Sequence, residues 1–146
     1  MILLSKVQRA VANPRRVRAM AVDRAALVVG GIRMASGVQF LVDPLRANRL
    51  WGDSGEPPPT ARLLLRSMGY RDALIGGLLI AAAVRGRDTR GWFLASGGAD
   101  VSDLVGGLSV HDQLGRSQKL IGMGGAIVGI TVGLWGALRK PPPAPQ

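Results

Sequence analysis

Five ionisable residues lie near the middle of three long apolar segments, and this placement constrains the fold more than any other feature of the sequence. The segments cover residues 25–42, 63–84 and 92–110, and their central charges are Arg33, Arg71, Asp72, Asp100 and Asp103. A charge at the centre of a membrane-spanning helix costs about 2.5–3.5 kcal/mol to insert. Such residues therefore persist in a membrane only when they are paired, hydrated or used for binding.

Together with a fourth apolar segment, these stretches predict an all-α, polytopic membrane protein. The fourth segment, 120–138, carries no charge. Each segment has about 18–22 residues, which matches the roughly 20 helical residues that cross a bilayer. Basic or proline-rich turns separate the segments. We therefore expect an antiparallel bundle of four transmembrane helices, with spans at 25–42, 63–84, 92–110 and 120–138.

The distribution of the net charge of +10 predicts the orientation of this bundle. Eleven Lys and Arg residues lie outside the segments on the side that holds both termini, whereas five lie in the two connections on the opposite side. By the positive-inside rule, we expect a multi-pass protein of the cytoplasmic membrane with both termini inside. Dispersed basic residues suit anionic lipid headgroups better than nucleic acid. The expected headgroup contacts are Arg15, Arg16, Arg18 and Arg24.

Shifts in composition divide the chain into three regions. Residues 1–24 form a basic cytoplasmic or interfacial N-terminus, 25–138 the four-helix domain, and 139–146 a proline-rich cytoplasmic tail. Asn13-Pro14 is expected to start the first helix, because Asn is a good N-cap and proline fits the first helical position. Arginine far outnumbers lysine, which is typical of a GC-rich bacterial genome such as that of an actinobacterium.

Three observations exclude common cofactor sites. The chain has no cysteine, which excludes disulfides and thiolate metal sites. His111 beside Asp112 supplies too few ligands for a metal ion. The glycines from Gly122 onward begin like a dinucleotide-binding fingerprint, but the third required glycine is replaced by Ile127. We therefore expect no metal and no cofactor, and the sequence identifies no catalytic residue.

The central charges are expected to face one another across the bundle. Ser96, Asp100 and Asp103 follow spacings of four and three and so form one polar stripe on the third helix. Arg71 is expected to point about 100° away from Asp72, its neighbour in sequence. Two interpretations stay open: buried ion pairs that fix the order of the helices, or a polar cavity that binds a ligand.

Glycines recur at spacings of three or four along the fourth segment and are expected to form a helix-packing surface. They are Gly122, Gly125, Gly129, Gly133 and Gly136. Small residues at this spacing let helix backbones approach closely in a membrane. The expected partner is a helix of the same chain, with a helix of another protein as the alternative.

Three elements of the sequence resemble small bacterial four-helix membrane proteins of unknown function, which are DoxX-like in arrangement. The elements are the run Arg66-Ser67-Met68-Gly69-Tyr70-Arg71-Asp72, a glycine-rich first helix ending at Asp43-Pro44, and Ala99-Asp100-Val101-Ser102-Asp103. The resemblance covers residues 25–138 and implies a four-helix membrane bundle without an established activity. Some DoxX-like proteins are associated with quinone-linked redox or with larger membrane assemblies. This chain has no cysteine, which argues against a redox role that uses a thiol.

Two functional classes follow from these features. We expect a non-enzymatic accessory, assembly or interaction subunit of a larger cell-envelope membrane complex, because the chain is small and its loops are short. Its expected partners are anionic lipids and another integral membrane protein or a second copy of the chain. The alternative is the binding or transport of a small polar or amphipathic ligand, such as a lipid headgroup, a quinone or a proton, by the Arg/Asp cluster.

Overall fold

The computed structural model describes residues 22–50 and 55–140. Within these ranges the chain is helical and contains no strand, so the predicted all-α class is confirmed there. One π-helical turn, Lys119–Met123, lies within the last long helix, and a 3-10 turn, His111–Gln113, precedes that helix. The helices are α1 Arg24–Val42, α2 Pro44–Leu50, α3 Pro59–Val84, α4 Arg90–Ser109 and α5 Arg116–Leu138.

Three of these helices, α1, α3 and α5, are long and apolar enough to cross a membrane. Their surfaces carry exposed large apolar side chains such as Val28, Leu63 and Leu134, which is consistent with a membrane protein rather than with a protein surrounded by water. The helix α4, which carries Asp100 and Asp103, is outside this set. Of the four predicted spans, three are thus candidate spans in the structure, and the fourth, α4, is a helix of similar length that is more polar than the others.

The long helices pack as two antiparallel pairs, α1 with α3 and α4 with α5. In the first pair, Gly30 faces Gly76 and Gly37 faces Gly69. A Cβ built on Gly30 would lie 2.8 Å from the Gly76 carbonyl oxygen, and one built on Gly69 would lie 2.7 Å from that of Gly37. These spaces are too small for a side chain. The glycines therefore allow the two helix backbones to touch, as small residues do in membrane helices.

The second pair has a similar seam. Gly133 lies against Gly97, where a Cβ would come within 2.7 Å of the Gly97 Cα. Gly136 lies against the ring of Phe93, and this fully buried side chain fills the space that a side chain at position 136 would need. The α4–α5 contacts thus include one glycine-to-glycine contact, one aromatic ring over a glycine, and the Asp100 carboxylate over Gly129.

The predicted packing surface on α5 is only partly realised. A Cβ at Gly122 or Gly125 would meet no atom within 4 Å, so the expectation that a helix of the same chain packs on all five glycines is wrong at these two positions. The π turn adds an extra residue to the helical turn at Gly122 and so moves it off the face of the later glycines. Gly125 lies in the regular helix after the π turn, at a position that no atom of α4 approaches. The glycines that do contact α4 are Gly129, Gly133 and Gly136.

The start of α1 is fixed by Asp23. Its Oδ1 accepts a hydrogen bond from the Ala26 N–H at 3.1 Å, which is the usual N-cap arrangement. Because Val22 and Asp23 are not helical, the expectation of one helix running from Asn13 into the first span is wrong at this point. Asn13 itself lies outside the described residues.

The connection between α3 and α4 is a tight turn. Gly86 has a φ of 60°, and its N–H and that of Arg87 donate to the carbonyls of Ala83 and Ala82. This is a Schellman motif, in which glycine takes the left-handed conformation at low cost. The turn brings the start of α4 beside the end of α3.

The two ends of the helix pairs differ. We call the end that holds residues 22–24, the link 85–89 and Arg139 the terminal end, and the end that holds α2 and the link 110–115 the distal end. A small apolar core lies at the terminal end and consists of Ala26, Leu79, Ala83 and Phe93. Between this core and the distal end, polar side chains fill the space between the two helix pairs.

Candidate functional site

Arg33 of α1 connects the two helix pairs. Its Nη1 donates to Asp100 Oδ2 at 2.8 Å and to Ser96 Oγ at 2.8 Å, and its Nη2 donates to Asp100 Oδ1 at 3.0 Å. Nη2 also donates to Asp72 Oδ1 on α3 at 3.1 Å. The pair with Asp100 is therefore two-pronged, the geometry in which a guanidinium recognises a carboxylate most specifically.

Arg71 of α3 forms the second connection. Its Nη1 and Nη2 donate to the two carboxylate oxygens of Asp103 on α4, at 2.8 and 2.6 Å. The Nε of Arg71 donates to Asp72 Oδ1 at 3.2 Å. Helical geometry separates neighbouring residues by about 100° around the helix axis. The long, flexible side chain of Arg71 nevertheless bends far enough to reach Asp72. Asp72 accepts from both arginines and joins the two ion pairs into one network.

The five predicted cluster residues therefore come together, and they lie where the helix pairs make few other contacts. The backbones of α3 and α4 approach each other much less closely than those within either pair. The side chains of Arg33 and Asp100 are only 11% and 12% exposed. Three carboxylates face two guanidinium groups, so the ionised cluster carries one net negative charge. Each arginine forms one two-pronged ion pair, Arg33 with Asp100 and Arg71 with Asp103. The third acid, Asp72, accepts from both arginines.

A cavity of about 450 Å³ extends from this cluster towards the distal end between the two helix pairs. This volume is in the range of sites that bind small molecules. Its polar lining includes Asp72, Asp100 and Asp103, and neither arginine is among the described residues that line it. Its apolar lining includes Phe40, Met68, Val110, Leu114, Ile121 and Met123. The cavity therefore has an acidic inner end and a largely apolar outer part.

The irregular part of α5 forms one wall of this cavity. Ile121, Gly122 and Met123 of the π turn line it, together with Gly125. Because Gly122 and Gly125 have no side chains and no close neighbours, they leave open the space that packing glycines would otherwise close. π turns within α-helices occur frequently at functional sites. The two glycines that do not pack against α4 thus contribute to the cavity.

A second polar cluster lies at the terminal end, and sequence reasoning missed it. Thr89 Oγ1 donates to Asp23 Oδ2 at 2.7 Å, and Arg139 Nη2 donates to the same oxygen. The Arg139 guanidinium also lies 4.9 Å from the ring centre of Phe93 and 5.0 Å from that of Trp135. These contacts fasten the start of α1, the α3–α4 turn and the end of α5 to one another.

The chemistry of Asp23 reflects these contacts. Burial alone would raise the pKa of its carboxyl, but the hydrogen bonds from Arg139, Thr89 and the Ala26 backbone outweigh burial and hold the pKa below its ordinary value. An aspartate directly before an apolar run was a readable N-cap signal. The pairing of Asp23 with Arg139, which is 116 positions away, has no comparable signal in the sequence.

The remaining predicted residues do not join either cluster. Arg24 is exposed at the first position of α1, while Arg15, Arg16 and Arg18 lie outside the described residues. His111 and Asp112 form an exposed contact of 3.2 Å. Within residues 22–50 and 55–140, no group of three or more potential metal ligands is present.

These features define a class: small, all-helical proteins with membrane-length apolar helices and a compensated charge cluster between them. Within that class, the chain belongs to the family described as domain of unknown function DUF4267, whose model matches residues 26–139. No curated protein and no solved structure matches the chain. The matched region includes both helix pairs, the Arg/Asp cluster and the cavity.

Proposed function

We propose that the protein is a four-span integral membrane protein and that α4 is its fourth span. With 20 residues, α4 is about 30 Å long, enough to cross the hydrocarbon core. It packs antiparallel along α5, one of the three apolar helices. Its two aspartates are paired with Arg33 and Arg71, which reduces the cost of burying them.

An even number of spans places both termini on one side, and the excess of Lys and Arg in the sequence before α1, between α3 and α4 and after α5 supports the cytoplasmic side. The proposed location is the cytoplasmic membrane of a bacterium. The paired helices and the charged third segment also support the DoxX-like arrangement, which here stays a resemblance.

Within this bundle, the function that the geometry supports best is the binding of a small amphipathic ligand between the helix pairs. The observation that carries this proposal is the cavity of about 450 Å³ with carboxylates at one end and apolar walls at the other. A cluster that served only to fix helix order would need the ion pairs but no adjoining space. The open positions of Gly122 and Gly125 beside the acids support a binding role over a purely structural one.

The proposal is tested by purifying the tagged protein from its native membrane in a mild detergent and analysing it by native mass spectrometry. The wild type should retain a defined small molecule. Gly122→Leu should lose it, because the new side chain would project into the cavity. Gly124→Leu is the matched control, since position 124 also has open space but does not line the cavity. Equal retention by both variants would contradict the proposal.

An accessory subunit of a larger envelope complex stays the second candidate. The observation that favours it is the shortness of the links 85–89 and 110–115, which leaves the described chain little surface outside its helices. The glycines of α5 support it less than expected, because Gly129, Gly133 and Gly136 already pack within the chain. The same purification separates the candidates: a stoichiometric protein partner that is retained by Gly122→Leu would favour the subunit role.

A further inference from the structure

The guanidinium groups of the Arg/Asp cluster are bound to its carboxylates and do not line the cavity, and this limits what the cavity can bind. All three nitrogens of the Arg71 guanidinium donate to Asp72 or Asp103. Both Nη atoms of Arg33 donate to Asp72, Asp100 or Ser96. The Nε of Arg33 has no partner among the described residues, but it is fully buried and out of reach of a ligand.

The charged groups of the described residues that line the cavity are all acceptors. Asp72, Asp100 and Asp103 line the cavity, and each carboxylate has lone pairs beyond those that the arginines occupy. The polar lining also includes Ser36, Ser102 and Gln118, whose neutral hydroxyl and amide groups can donate as well as accept. The inner end of the cavity is therefore rich in acceptors and poor in charged donors.

The charge balance points in the same direction. Two arginines meet three aspartates, and the unmatched acid belongs to the wall of the cavity. A bound cation would complete the balance, whereas a phosphate or carboxylate would add a second unmatched negative charge in a poorly solvated site. A quinone carbonyl would find only neutral donors in the described wall of the cavity, and it would leave the unmatched acid without a counter-ion.

We propose that the cavity binds an amphipathic organic cation, with its ammonium group at Asp72, Asp100 and Asp103 and its apolar part against the outer walls. This inference rests on the proposed binding function and names the ligand class. The apolar part would lie along Phe40, Met68 and Met123 and point towards the distal end. The ammonium N–H groups would donate to carboxylate oxygens, which gives short, charge-assisted hydrogen bonds.

The test compares three probes that share one alkyl chain: octylammonium, octanol and octyl phosphate. Binding of each labelled probe to the protein in lipid nanodiscs is measured by equilibrium dialysis, and binding to empty nanodiscs is subtracted. Octylammonium should bind saturably and at least about tenfold more tightly than octanol, and octyl phosphate should not bind saturably. Gly122→Leu should abolish the saturable binding, and Gly124→Leu should preserve it.

The variant Asp72→Asn tests the charge directly. It removes the bridging acid, leaves both two-pronged pairs in place and makes the cluster neutral. We expect octylammonium affinity to fall about tenfold or more, while octanol binding stays unchanged. Unchanged octylammonium affinity in Asp72→Asn would overturn the inference.

The three probes, measured on the wild type and on Gly122→Leu, separate the two proposals. Octanol or octyl phosphate could bind saturably and at least as tightly as octylammonium, in a way that Gly122→Leu abolishes. That result would overturn the inference that the ligand is a cation but leave the proposed binding function standing. If no probe shows saturable binding that Gly122→Leu abolishes and native mass spectrometry finds no retained molecule, both proposals are overturned.

Discussion

Arg33 and Asp100 form a two-pronged ion pair across the centre of the molecule, with Nη1···Oδ2 at 2.8 Å and Nη2···Oδ1 at 3.0 Å. Arg33 belongs to the α1–α3 pair and Asp100 to the α4–α5 pair. Within each pair, glycine seams bring backbones together, whereas the pairs are joined to each other by ion pairs and by the small apolar core at the terminal end. The order of the four long helices therefore depends in part on side chains that are costly to bury alone.

Removing one partner of this pair should destabilise the protein strongly. We expect Arg33→Met to lower the free energy of unfolding by about 3–5 kcal/mol, because Asp100 then stays buried without its counter-ion. The double variant Arg33→Met with Asp100→Asn should lose less than Arg33→Met alone. Unfolding in mixed micelles with increasing SDS measures both, with Arg66→Ala at an exposed position of α3 as the control. A double variant that is less stable than Arg33→Met would contradict a compensated pair.

The glycine seam between α1 and α3 makes a separate prediction. A Cβ at Gly37 would overlap backbone atoms of Gly69 and Ala73, so Gly37→Ala should cost about 1–3 kcal/mol of stability. Gly31→Ala on the same helix has open space and is the matched control; it should be neutral or slightly stabilising. The same SDS titration detects the difference, and equal stability of the two variants would argue against close backbone contact.

Some of this arrangement could be predicted from helical spacing. Spacings of four and three put Ser96, Asp100 and Asp103 on one face, and the cost of buried charge required partners for them. The particular pairing could not be predicted, because it depends on the register at which the glycine seams fix the helices. The reach of the Arg71 side chain also depends on its rotamer rather than on its helix position.

Other parts of the site depend on local irregularity that no spacing rule describes. The five glycines of α5 form one stripe only if the helix is regular, and the π turn Lys119–Met123 breaks that regularity. Gly122, within this turn, and Gly125, in the regular helix that follows it, line the cavity instead of packing against α4. The contact between Asp23 and Arg139 joins opposite ends of the sequence, and it forms only once the helix pairs are placed.

The terminal cluster should make stability depend on pH. Because the pKa of Asp23 in the folded protein is lowered from its ordinary 3.8, its contribution is present above pH 3.8 and is lost as the pH falls below that value. The difference in melting temperature between wild type and Asp23→Asn should therefore be largest near neutral pH and shrink as the pH falls below 3.8.

Differential scanning calorimetry in detergent at several pH values measures this difference. Asp112→Asn is the control, since that carboxylate is fully exposed, and its melting temperature should follow that of the wild type throughout. A difference between wild type and Asp23→Asn that grows on acidification would contradict the stated role of the Asp23 carboxylate.

The four-span topology predicts the side of each connection. Reporter domains fused after Arg49 and His111 should report the non-cytoplasmic side, and a fusion after Arg87 the cytoplasmic side. If α4 did not cross, the His111 fusion would report the same side as the Arg87 fusion. A cytoplasmic signal after Arg49 would contradict the whole topology.

The most direct test of the central claim is cysteine labelling of the cavity. The chain has no cysteine, so Ser36→Cys and Ser102→Cys probe positions that line the cavity, and Val105→Cys probes an exposed apolar position outside it. We predict that a small cationic thiol reagent modifies the two cavity positions rapidly and Val105→Cys slowly, and that adding Gly122→Leu, but not Gly124→Leu, slows the cavity reaction. Equally slow modification at all three positions, or a cavity rate that Gly122→Leu leaves unchanged, would contradict an open acidic cavity between the helix pairs.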